Sequence, residues 1–183
     1  MGAGISLYHT TAQIDSCEIR RNRNLIHGGA GGIFFSNCED IVLSNCEIDS
    51  NYSGENGGGI SWWGGQTNII NCQITNNGTH IFGGGIYTWG GDFTIADCIF
   101  ENNHAESGGG IHINRSGESM AQIHHSVFSN NTAFYTGGGI DIGYRDSLAV
   151  YNCTFFQNTA ERGSGIFIGT RIEFFNNIIR LCL

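Results

Sequence analysis

Two short patterns of alternating apolar and polar positions recur along the whole chain. The first surrounds seven small-Gly-Ile triplets ending at Ile5, Ile33, Ile60, Ile86, Ile111, Ile140 and Ile166, with side chains alternating as in Ile111-His112-Ile113. That is the period of a short strand with one side turned inward. A second strand ends near a Cys. Three residues before it stands Ile14, Leu43, Ile69, Ile95, Ile123 or Val150, and two after it Ile19, Ile48, Ile74, Phe100, Phe128 or Phe155. No segment carries a 3.6-residue period, so no helix is predicted.

The triplets are spaced 25 to 29 residues apart, in phase with a second motif, Cys-x-[Ile/Phe]-x-x-Asn. Its Asn recurs at Asn22, Asn51, Asn77, Asn103, Asn131 and Asn158, and in one copy Ser126 replaces the Cys. Strands returning in the same order at a fixed period stack as a parallel coil, each repeat burying its face on its neighbours. The fold class expected is therefore all-β: a right-handed single-stranded parallel β-helix (β-solenoid) of about seven coils of about 27 residues. Handedness follows the general preference for right-handed crossovers. Each repeat is expected to hold two to three strands between Gly/Asn-rich corners. Residues 1–183 read as a single domain, a segment of a longer protein. The six Asn are expected to form a structural ladder, since an amide donates and accepts at once.

Composition narrows the function classes. There are 29 Gly and no Pro, which suits unbroken backbone ladders. Net charge is −8 with 8 basic residues, which argues against nucleic acid as a partner. No apolar run reaches membrane-spanning length. Of seven Cys, five (Cys17, Cys46, Cys72, Cys98, Cys153) share one repeat column and are expected to be a stack of reduced, buried thiols, with Cys38 and Cys182 outside it. No C-x-x-C pair exists, which excludes a zinc ribbon. No cofactor or metal is expected. Glu18 and Glu47 follow their Cys in adjacent coils, but no calcium-roll pattern recurs, so calcium is not expected. His124 and His125 replace Tyr/Asn or Ser/Asn at the same corner of other coils and are expected to be ordinary turn residues; adjacent histidines point to opposite faces of a strand, which argues against a shared metal. Sequons at Asn51, Asn77, Asn114, Asn130 and Asn152 fall on or beside structural columns.

Candidate chemistry sits in the position after each Gly-Ile, which reads Ser6, Phe34, Ser61, Tyr87, His112, Asp141, Phe167 and is expected to face outward. Tyr87, His112 and Asp141, with Arg145 and Arg115 from strand ends, form a patch suited to binding or deprotonating a uronic sugar. The plainer expectation is a solvated set of stacked surface residues. A second carboxylate is missing from the column, which weighs against a two-carboxylate glycosidase. Phe34, Trp63, Tyr87 and Trp89 are the candidate ligand-binding aromatics, because aromatic faces stack on sugar C–H surfaces. Alternation sends Trp62 inward.

The pairing of Gly-Gly-Ile with F-x-x-N is clearest in Gly109-Gly110-Ile111 with Phe100–Asn103, and in Gly138-Gly139-Ile140 with Phe128–Asn131. It resembles the polymorphic outer-membrane protein repeat family, within the pectate-lyase-like right-handed β-helix class. That resemblance implies secreted or surface-displayed passenger domains acting as adhesins or stalks. The expectation is an extracellular or cell-surface module for adhesion, display or assembly without catalysis. Its partner would be a glycan or a host-cell surface, with end-to-end self-association through open coil edges. The alternative is a carbohydrate-active or glycan-binding domain, and fold does not decide between them.

Overall fold

The computed structural model describes residues 4–25, 28–114, 120–143, 147–169 and 173–180. Every strand pairing in it is parallel, and three sheets of seven strands and one of five run the length of a coil stack. The first sheet holds Ile5–Tyr8, Ile33–Ser36, Ile60–Trp63, Ile86–Trp89, Ile111–Asn114, Ile140–Ile142 and Ile166–Ile168. The second runs from Ala12–Asp15 to Glu173–Phe175 and the third from Glu18–Arg20 to Ile178–Arg180. A fourth sheet, from Arg23–Asn24 to Thr132–Thr136, adds a strand per coil beyond the two to three expected. It was missed because its strands are only two to five residues long and largely polar.

Two corners give the coil its shape. Between the second and third sheets, Ser16, Asn45, Asn71, Asp97, His125, Asn152 and Asn176 all take φ of 50–55°. Between the third and fourth, Arg21, Ser50, Asn76, Asn102, Asn130 and Gln157 take φ of 52–57°. Asn and Asp tolerate this left-handed conformation best among residues with a Cβ, which is why they crowd both positions. The residue after the first corner is the Cys. Cys46 Sγ donates to the Ser44 carbonyl at 3.0 Å, and Cys98 Sγ to the Ala96 carbonyl at 3.1 Å. Ser126 donates the same bond to the His124 carbonyl at 2.9 Å, which explains its place in the column. Cys46, Cys72, Cys98 and Cys153 are buried free thiols, as is Cys38; Cys17, at the open end of the stack, is exposed, contrary to expectation. Burial pushes the Cys153 thiol up to about 11, so it stays protonated and acts as a packing group. Cys182 lies outside the described residues.

After the second corner stands the Asn file. The backbone N–H and Nδ2 of Asn77 both donate to Asn103 Oδ1, at 2.9 and 3.2 Å, and Nδ2 also donates to the Ile48 carbonyl at 2.8 Å. The same pattern runs from Asn22 through Asn51 and from Asn103 through Asn131 to Asn158. Each inner amide thus satisfies both its hydrogens and both acceptor positions out of water. The sequons at Asn51 and Asn77 are buried in this file, where a glycan has no room.

Inside, matching side chains stack on themselves. Phe100, Phe128 and Phe155 lie face to face at 4.7 and 4.9 Å, tilted by only 4° and 8°. Trp62 is fully buried against Phe93 at 5.5 Å, as alternation predicts, with its Nε1 lacking a partner.

Candidate functional site

The outer face of the first sheet is where the coil departs from uniformity. Its central column keeps the order read from the sequence: Phe34 pairs with Ser61, Ser61 with Tyr87, Tyr87 with His112, and His112 with Asp141. The expectation of a solvated column is overturned. Phe34 is 2%, Tyr87 3%, His112 8% and Asp141 5% exposed.

The cover comes from the turn that leads into each strand. Asn56, Phe82, Ser107, Thr136 and Arg162 form a file of isolated bridges or bridge-like pairings just before the Gly of each turn. That Gly has φ of 62–69° at Gly57, Gly83, Gly108, Gly137 and Gly163. A Cβ on Gly108 would stand 2.6 Å from His112 Cβ, and one on Gly137 2.6 Å from Asp141 Cβ. Glycine here lets the chain fold tightly beside the column, so that the preceding residue lies along it as a wall.

Phe82 consequently stacks on His112 at 4.4 Å, and His112 on Tyr87 at 5.7 Å and 11°. Burial pushes the Tyr87 phenol up, keeping it protonated. His112 Nδ1 lies 2.9 Å from Asp141 Oδ2. Thr136 Oγ1 lies 2.9 Å from both Asp141 Oδ2 and Ser107 Oγ. Thr136 has one hydroxyl hydrogen, so it donates to the carboxylate and accepts from Ser107. The result is a directed chain, Ser107 to Thr136 to Asp141, with His112 donating Nδ1–H to the same oxygen. Such a partner fixes the tautomer and leaves Nε2 as the ring's acceptor. The His112 side chain remains 10% exposed, so the ring edge reaches the surface. Arg145 and Arg115, the expected cationic members of the patch, lie outside the described residues.

The opposite rim of the column is aromatic. Trp63 pairs in register with Trp89, and they are 42% and 52% exposed. Phe34 packs edge-on beneath Trp63 at 5.4 Å, and Tyr8 lies 5.6 Å from Phe34. Of the four candidate aromatics, Trp63 and Trp89 therefore face solvent, while Phe34 and Tyr87 make the floor. On the wall side Phe134 and Tyr135, not singled out from the sequence, are exposed beside Thr136. Their signal was only two adjacent aromatics ahead of a Gly turn.

The acidic corner of the third sheet offers less. Glu18 and Glu47 are in register, but the column continues as Gln73 and Ile99. Asp15 and Asp49 are each occupied by three side-chain hydrogen bonds. Among the described residues, no three His, Cys, Asp or Glu side chains gather as a metal cage.

A parallel coil with stacked Asn corners and a built outer face on one sheet defines the β-helix class. A family model described as the right handed beta helix region matches residues 1–155, and the chain belongs to that family. Comparison with curated proteins and with solved structures finds no match.

Proposed function

We propose that the chain is a non-catalytic, surface-displayed or secreted β-helix module that binds a glycan along the outer face of its first sheet. The observation that carries this reading is the pair of exposed, in-register tryptophans, Trp63 and Trp89, flanking a floor of Ser61, Tyr87 and His112. Indole faces stack on the C–H faces of sugar rings, and convergent polar groups beside them give orientation. The remaining coils are uniform, which fits a stalk or display role like that implied by the polymorphic outer-membrane repeats. Titration calorimetry with neutral and acidic oligosaccharides tests the proposal. The wild-type chain is expected to bind saturably and Trp63→Ala/Trp89→Ala to lose at least tenfold. Equal affinity in the double variant would remove the reading.

A second reading is supported by one specific feature, the Ser107–Thr136–Asp141–His112 chain. An oriented imidazole beside a sugar site is the arrangement of a general base, here for taking the proton next to a uronate carboxyl group. Turnover of an acidic polysaccharide that disappears in His112→Ala would favour this carbohydrate-active alternative.

A further inference from the structure

The geometry points to a divalent transition-metal chelate at His124 and His125, of the tetragonal kind that suits Ni²⁺ or Cu²⁺, on the corner between the second and third sheets. Strand alternation would send adjacent histidines to opposite faces, but His125 sits in the left-handed corner with φ of 50°. That turn swings its ring back toward His124, and the two Nδ1 atoms stand 2.9 Å apart with ring planes at 89°.

Both rings are held by neighbours in the next coil. His124 stacks on Tyr151 at 4.9 Å and 18°, and His125 Nε2 lies 3.1 Å from the Asn152 side-chain amide. Asn152 Nδ2 donates to His125 Nε2, so the hydrogen between the two Nδ1 atoms sits on His125; turning the Asn152 amide presents its oxygen to Nε2–H and frees His125 Nδ1 for metal. The hydrogen shared between the two Nδ1 atoms passes to Nε2 of His125 as the Asn152 amide turns, so the chelate forms without loss of a proton. Asp97 occupies the same corner one coil earlier and adds negative charge.

The spacing is that of an N–H···N hydrogen bond in the metal-free chain, and it is also close to what a right-angled pair of ligands needs. Two nitrogens about 2.0 Å from a metal at a right angle lie about 2.8 Å apart, whereas a tetrahedral ion would need about 3.3 Å. The observed 2.9 Å fits the right angle of tetragonal Cu²⁺ or octahedral Ni²⁺. No third protein ligand completes a cage among the described residues, so water fills the remaining positions.

Titration calorimetry with Ni²⁺ on the native chain tests this, alongside His125→Asn and His124→Ser. Both replacements restore residues that other coils carry at the same positions, Asn45, Asn71 and Ser44, so the corner is preserved. One site is expected in the native chain, weakened at least tenfold in each variant. Electron paramagnetic resonance of Cu²⁺, in a Cys17→Ser background because the exposed thiol reduces copper, should show two coordinated imidazole nitrogens. No native Ni²⁺ site, unchanged affinity in either variant, or coupling to fewer than two imidazoles would overturn the assignment.

Discussion

The Asn corner and the outer face of the first sheet are both files of side chains one coil apart, yet they are built on opposite rules. At the corner six coils use one residue for one task, and Asn51, Asn77, Asn103, Asn131 and Asn158 are sealed from water with their amides matched rung to rung. On the outer face successive coils carry Phe34, Ser61, Tyr87, His112 and Asp141, with a different local solution for each. A column that repeats solves a problem of the fold. A column that changes from coil to coil, while still burying charged and polar groups, carries chemistry that stacking alone does not require.

The sharpest way to break that contrast is at the corner. Asn103→Ala leaves the Asn77 backbone N–H, the Ile74 carbonyl and Asn131 Oδ1 short of partners in a dry site, and should cost about 3 kcal/mol in urea unfolding. A cost under about 1 kcal/mol would mean that the amide ladder adds little beyond packing. Asp141→Ala, on the outer face, removes the acceptor of His112 and Thr136, and about 2 kcal/mol is expected by the same measurement. Trp63→Ala and Trp89→Ala should each stay within about 1 kcal/mol, because half of each ring is already in water. A larger loss would make the tryptophans structural and erase the distinction.

The smallest effect concerns acid. Burial pulls the Asp49 carboxyl up, but hydrogen bonds from Asn76, Ser50 and Thr75 outweigh it and leave the group below its ordinary 3.8. A lowered carboxylate stabilises the native state above the unfolded value, and that contribution is lost as pH falls through the folded one. Melting temperature should thus decline below pH 3.8 less steeply in Asp49→Asn than in the wild-type chain. Identical slopes would show that this corner carboxylate does not couple folding to protons.

Most of the coil was legible in the sequence because its restraints are local and periodic. Alternation placed Trp62 inside and Trp63 and Trp89 at the strand exit, and the spacing of Asn22 to Asn158 predicted the ladder. What the pattern could not convey was the cover over the outward column. Alternation says only that His112 points away from the coil's own axis; whether water lies there depends on the turns at Gly83 and Gly108, which set Phe82 and Ser107 beside it. The fourth sheet was hidden because Tyr52–Ser53 and Gly78–Thr79 are too short to show a period. His124 and His125 are legible as corner residues, because Asn45, Asn71 and Asn152 hold the same place in other coils, but the approach of their rings is not, since strand alternation does not carry across a residue whose positive φ ends the strand.

Whether a sugar lies on the outer face of the first sheet against Trp63 and Trp89 is read from variants that leave one exposed indole at a time. Trp63→Phe and Trp89→Phe, each leaving one exposed indole beside the buried Trp62, would be exposed to acrylamide with and without saturating oligosaccharide. Ligand should protect Trp63 and Trp89 from quenching and leave the buried Trp62 unchanged. Binding that leaves both exposed indoles fully quenchable would contradict the claim and move the site elsewhere on the coil.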